Sequence, residues 1–125
     1  MEHFADQLAA AVRRTGNAVC VGLDPRAKNL PPVLLADDMS PPAIAGAYAR
    51  FCNDVCDVVA PLVPIVKVQA AFFEELGPYG MKAMAQVIDH ARSLGLLVIV
   101  DAKRNDIGST AEAYARGFLG REKSA

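Results

Sequence analysis

The chain has 125 residues, 13 Lys plus Arg against 14 Asp plus Glu, a formal charge of −1 and 53% hydrophobic residues. That is the length of one ordinary domain, and it is apolar enough to offset its ordering entropy by burial, which excludes a disordered chain. The near-zero charge excludes a nucleic-acid or membrane-surface binder that works through a basic field. The longest apolar runs, around 58–68 and 94–100, fall short of the ~20 residues needed to cross a bilayer. The N-terminal Met1-Glu2-His3-Phe4-Ala5-Asp6 has no basic stretch followed by an apolar one, so no secretory signal is read there and a cytoplasmic location is expected. Cys20, Cys52 and Cys56 are an odd set. They are read as buried free thiols rather than a disulfide framework or half a zinc site.

In chain order, Phe4, Leu8, Ala11 and Val12 recur at helical spacing before Gly16, which predicts a helix over 2–15. Residues 18–23 form a continuous apolar run ending at Asp24-Pro25, expected as a strand buried on both faces. Residues 25–39 hold Pro25, Pro31, Pro32 and the Asp37-Asp38 pair and read as a loop long enough to be functional. Ser40-Pro41-Pro42 reads as an N-cap with proline in the first turn of a helix whose stripe is Ile44, Ala47, Tyr48, Phe51, Val55 and Val58. Pro61 and Pro64 end it, and Ile65-Val66-Lys67-Val68-Gln69 is a second strand interrupted by one lysine. Gly77-Pro78-Tyr79-Gly80 reads as a turn before a helix over Met81–Leu94, with Met84, Val87, Ile88 and Ala91 facing inward. Leu96–Val100 is the third strand, and Thr110 is expected to begin a last helix packed through Ala113, Tyr114 and Phe118. The order is a helix followed by strand–helix three times, which implies an α/β fold with a parallel sheet and right-handed crossovers.

Each strand finishes in polar residues: Asp24 after the first, Lys67 inside the second, Asp101 and Lys103 at the third. The C-terminal ends of strands are where parallel α/β folds bind ligands. Asp101 and Lys103 are two apart, so in extended backbone they project to one side and can touch; Asp106 follows in a loop. Lys67 on the neighbouring strand can complete an alternating row of Lys, Asp, Lys and Asp, since an ammonium in an apolar strand needs anionic partners. A bland reading is a salt-bridge network tying strand ends together. The functional one is a preorganised field for a reaction that develops negative charge at carbon and then takes a proton, and decarboxylation fits that description. A lysine Schiff base is disfavoured because flanking carboxylates keep the lysine protonated. Neither a dinucleotide fingerprint nor a P-loop is present.

At these residues the chain resembles the orotidine 5′-phosphate decarboxylase family, in its bacterial branch with a long first βα loop. The likeness rests on Val21-Gly22-Leu23-Asp24-Pro25-Arg26, Val66-Lys67-Val68-Gln69 and Asp101-Ala102-Lys103-Arg104-Asn105-Asp106-Ile107-Gly108-Ser109-Thr110. It implies a TIM (β/α)8 barrel family fold, of which residues 1–125 would be the N-terminal part, the first three βα units plus an N-terminal helix. It also implies that Asp24 and Lys67 bind the ribose region of orotidine 5′-phosphate and that Lys67, Asp101, Lys103 and Asp106 are the catalytic row, with Lys103 the proton donor. Asp106, Ile107 and Thr110 would reach into the partner subunit's site in a homodimer. No metal and no organic cofactor is implied. Gln69 and Phe72-Phe73 are read as serving the strand end and the core.

A full barrel of this kind runs to roughly 250 residues and binds phosphate on its later loops. The isolated chain is therefore expected to be inactive unless a complementing C-terminal chain exists, and Gly120–Ala125 stop where a loop toward a fourth strand is expected. Two other readings stand beside the decarboxylase. One is a non-catalytic remnant or association module that folds only against another chain, and the other is a magnesium-dependent sugar-phosphate decarboxylase or aldolase.

Overall fold

A computed structural model describes residues 3–35 and 38–120, so Glu2, Asp37 and the segment 121–125 lie outside the described residues. Helix α1 runs Phe4–Thr15 and stops at Gly16, whose φ of 64° suits glycine and lets its N–H bond the carbonyl of Val12 at 2.9 Å. Strand β1 (Cys20–Leu23) leads into the long loop, which contains two 3-10 turns, Ala27–Asn29 and Pro32–Leu34. Helix α2 (Pro41–Val59) then returns the chain to β2 (Ile65–Gln69). Ser40 occupies the N-cap position but makes no side-chain cap: its hydroxyl donates to Asp38 at 3.0 Å. Pro41 and Pro42 have no N–H to offer it, which removes most of the reason to cap.

A five-residue helix, α3 (Ala70–Glu74), follows β2 without a loop and was not expected from the sequence. Helix α4 begins at Pro78 rather than Met81 and runs to Ser93, because Pro78 is preset for the first helical position and Gly77 supplies the left-handed residue before it. Strand β3 is Leu97–Asp101, and α5 is Gly108–Leu119, starting two residues earlier than expected. The three strands pair in parallel in the order β1-β2-β3, with Gly22, Lys67 and Ile99 level across the sheet and Gln69 level with Asp101.

One face of the sheet is covered by helices. Leu23, Val66 and Val68 point into it and are fully buried with Tyr48, Cys52, Phe73 and Val87. Tyr48 meets Phe73 edge to face with ring centroids 5.9 Å apart, and its hydroxyl accepts the N–H of Ala27 at 2.9 Å. The phenylalanine pair Phe72-Phe73 is core, as expected.

Three burial expectations need correction. The first strand is not buried on both faces: Cys20 and Gly22 alternate with Val21 and Leu23 and are exposed, so among the described residues no layer covers that face of β1. Cys20 is thus an exposed thiol, whereas Cys52 and Cys56 are buried. Val58 and Phe118 are also exposed: of the expected stripe of α2, Ile44, Ala47 and Tyr48 are buried, joined by Ala45, Ala49, Cys52 and Cys56, and α5 packs through Ala113 and Tyr114.

Candidate active site

The exposed face of the sheet carries the polar residues. Alternation along a strand puts Gly22 and Asp24, Lys67, and Ile99 and Asp101 on the side away from the helices, while Gln69, of the same parity as Lys67, is buried at the strand end where α5 reaches it. Lys67 can therefore stand in an apolar strand without entering the core; Val66 and Val68 on either side of it take the buried positions.

Asp101 is the centre of the cluster. Its two oxygens accept from Lys103 Nζ at 2.5 and 2.6 Å, and Lys67 Nζ lies 3.6 Å from Oδ2. Lys103 Nζ also reaches Asp106 Oδ2 at 3.4 Å, so Lys67, Asp101, Lys103 and Asp106 form one continuous alternating row. The Asp101 side chain is 14% exposed, and Lys67 and Lys103 are 34% and 51% exposed, which leaves both ammoniums open to a ligand from the solvent side. The hydrogen bond from Lys103 holds the Asp101 carboxyl below its ordinary range, and Asp101 in turn holds the Lys103 ammonium above its own. Both groups are ionised at neutral pH before any ligand arrives.

The turn between Lys103 and Asp106 depends on a residue that spacing alone did not mark. Arg104 has φ 61°, the only positive value at a non-glycine among the described residues. Such a conformation costs about 1–3 kcal/mol and persists where neighbours hold it. Arg104 Nη2 donates to Glu74 Oε1 at 2.9 Å, and Glu74, at the end of α3, has a side chain only 5% exposed. The short helix missed in the sequence thus anchors the bend that brings Asp106 back to Lys103. Two further ties fix α5 behind the row: Arg116 donates to Glu75 Oε2 at 2.8 Å, and Arg26 donates to Ser109 at 3.3 Å while lying over the Phe72 ring.

The other sequence-derived residues stand outside the row. Asp24 is exposed one residue past β1, directly after Leu23, which pairs with Val68, and has no ion pair among the described residues. Ile107 is at the N-cap of α5 and almost fully exposed; its N–H bonds Asp106 Oδ1 at 2.9 Å. Thr110 is half-buried in the first turn of α5. Gln69, read as a strand-end residue, is buried and donates to Asp101 Oδ2 at 3.2 Å. Its position two residues after Lys67 on the same face is the signal that could have found it. Among the described residues no group of three or more His, Cys, Asp or Glu side chains could hold a metal ion, and no helix is long and apolar enough to cross a membrane.

Residues 17–125 match the family model described as orotidine 5′-phosphate decarboxylase / HUMPS family. A curated orotidine 5′-phosphate decarboxylase of Rhodopirellula baltica is 55% identical over 122 residues, covering 96% of this chain and 40% of the relative. One from a Nocardioides species is 42% identical over 116 residues, covering 93% of this chain and 40% of the relative. Among solved structures, a putative orotidine 5′-phosphate decarboxylase of Streptomyces avermitilis superposes with a TM-score of 0.69 at 37% identity, over 94% of this chain and 39% of that one. The Leishmania donovani OMP decarboxylase gives a TM-score of 0.62 at 35% identity, over 92% and 39%. The chain spans about 40% of the length of the curated relatives it matches, and its three parallel βα units are a partial (β/α)8 barrel. It belongs to the orotidine 5′-phosphate decarboxylase / HUMPS family.

Proposed function

We propose that the chain carries the charge network of a cofactor-free orotidine 5′-phosphate decarboxylase, acting in the last step of UMP synthesis. The observation that supports this most is the unbroken row Lys67–Asp101–Lys103–Asp106 at the strand ends. In this reading Asp101 lies against the substrate carboxylate. The bond between that carboxylate and the pyrimidine ring breaks, carbon dioxide leaves, and the electron pair stays on the ring carbon. Lys103, held protonated by Asp101, stabilises that charge and delivers its proton to the carbon, to be reprotonated from water. Lys67 orders the row and meets the ribose hydroxyls, Asp24 binds the ribose from β1, and Asp106 closes the row. Asp106, Ile107 and Thr110 belong to a surface that contributes to a second subunit's site in a homodimer. The setting is the cytoplasm.

The residues that grip phosphate in a (β/α)8 barrel lie on its later loops. We infer that the 125 residues are the N-terminal part of one barrel domain and do not turn over orotidine 5′-phosphate unaided, because remote binding energy drives the chemistry at the reacting carbon. The test joins this chain to the part of the Rhodopirellula baltica relative that it does not match and measures release of labelled carbon dioxide from carboxyl-labelled substrate. The chain alone is expected to be silent, the chimera active, and the chimera with Lys103→Ala silent again. A folded chimera without activity, or one indifferent to Lys103→Ala, refutes the assignment.

A further inference from the structure

The row is held in place by a buried group that carries no charge. Gln69 is 4% exposed and stands level with Asp101 across the β2–β3 pairing. Its Nε2 donates to Asp101 Oδ2 at 3.2 Å, on the same oxygen that Lys67 approaches, and the hydroxyl of the buried Tyr114 on α5 donates to its Oε1 at 3.5 Å. The orientation of this amide follows from charge. Asp101 lies between two ammoniums and is ionised, so it can only accept, and the amide must present its N–H to it. The carbonyl end then faces Tyr114, which must donate.

A carboxylate turns easily about its last side-chain torsion, which has broad minima. Lys103 grips both oxygens of Asp101 but is itself half exposed on a flexible stem, so it can turn with the carboxylate rather than stop it. Gln69 is the partner that cannot move, since its backbone is in the central strand and its far end is pinned by α5. We propose that Gln69 is a positioning residue that fixes the plane of the Asp101 carboxylate, and that Tyr114 keeps the Gln69 amide from flipping. Only the catalytic consequence rests on the decarboxylase reading; the orientation of the carboxylate does not.

The test uses Gln69→Leu and Tyr114→Phe, with the carboxyl carbon of Asp101 followed by NMR through an acid titration of the 125-residue chain. The charges facing Asp101 are Lys67 and Lys103, with Asp106 beyond Lys103, and both variants leave all three in place. Losing a donor to the ionised form moves the Asp101 midpoint upward by roughly half a pH unit in Gln69→Leu. Tyr114→Phe, which deletes only a hydroxyl, moves it in the same direction by less. A general loss of packing would lower the unfolding midpoint and leave the titration where it was, and an unmoved Asp101 in the folded variants overturns the proposal. If Gln69→Leu fails to fold, Tyr114→Phe decides alone. In the active chimera the same variants lower kcat and leave KM within about twofold; normal kcat in Gln69→Leu overturns the catalytic consequence. A chimera inactive before any substitution counts against the decarboxylase reading and leaves the titration to decide the positioning.

Discussion

Two glycines in helices make opposite predictions for the same substitution. Glycine inside a helix costs about 0.5–1 kcal/mol relative to alanine, so Gly→Ala is stabilising where the added methyl has room. At Gly46 in α2 a Cβ would meet nothing within 4 Å, and Gly46→Ala should gain that increment, a rise of about 2–4 °C in Tm for a chain of this size. At Gly80 in α4 a Cβ would sit 1.8 Å from the carbonyl oxygen of Phe73, 2.7 Å from its carbonyl carbon and 3.0 Å from Leu76 Cβ. The two nearest obstructing atoms are the Phe73 backbone in α3, and the Phe73 side chain is fully buried, so neither can swing aside. The two helices must part by roughly 1.5 Å to restore ordinary carbon–oxygen contact. Overpacking of this kind costs about 1–3 kcal/mol and here falls at the upper end, so Gly80→Ala should lower Tm by about 8 °C or more. Parting α3 from α4 also displaces Glu74 from Arg104, which loosens the bend before Asp106. Thermal and urea unfolding of both variants by far-UV circular dichroism decides the matter. A Gly80→Ala chain as stable as the parent, or a destabilised Gly46→Ala chain, would refute the packing argument.

Alkylation should distinguish the thiols: burial keeps Cys52 protonated, its pKa pushed up to about 12, and Cys56 is raised as well, while Cys20 is exposed. Mass spectrometry after a short treatment with iodoacetamide at neutral pH should find the label on Cys20 alone, and all three thiols labelled in denaturant; native labelling of Cys52 would contradict the buried site. The Asp101–Lys103 pair should leave stability indifferent to pH over about pH 5 to 9, since both groups stay ionised there in folded and unfolded chains. Because the folded Asp101 is depressed, its contribution is present above about pH 3.9 and is lost as pH falls through the lower folded value. Because Lys103 is raised, its contribution is present below about pH 10.4 and is lost as pH rises through the higher folded value. The urea midpoint of Asp101→Asn should therefore trail the parent by a constant amount near neutrality and converge on it in acid. A gap that persists undiminished at about pH 2 would show that the carboxylate charge is not the source.

The alternation of helices and strands was legible because each long segment carries a clean period, and the proximity of Asp101 to Lys103 follows from a spacing of two in extended chain. The contact with Lys67 was expected from the need of an ammonium in an apolar strand for anionic partners, and the register between β2 and β3 supplies it. Helix α3 was not legible: five residues are too few to show a period, and Ala70 continues directly from the strand. With α3 hidden, Glu74 could not be paired with Arg104, thirty positions away in the chain and in a backbone conformation that its residue type does not announce. The exposure of Cys20 and Gly22 was misread for a different reason, because a short apolar run shows that a strand has a buried face but not whether its second face is covered.

The parity of the central strand also limits how this chain can vary. Val66 and Val68 fill the core while Lys67 and Gln69 address Asp101, all within five consecutive residues. A single residue inserted or deleted just upstream, if absorbed as a slip of β2, would exchange the two sets, driving an ammonium and an amide under the helices and presenting valines to the ligand side. The loop before α2 is tied to the fold through Arg26, Ala27 and the buried Leu30, and beyond Leu30 it can change length with little effect on this arrangement. The tolerance of the gene to insertions should therefore be sharply uneven, generous between Leu30 and α2 and nearly nil across β2.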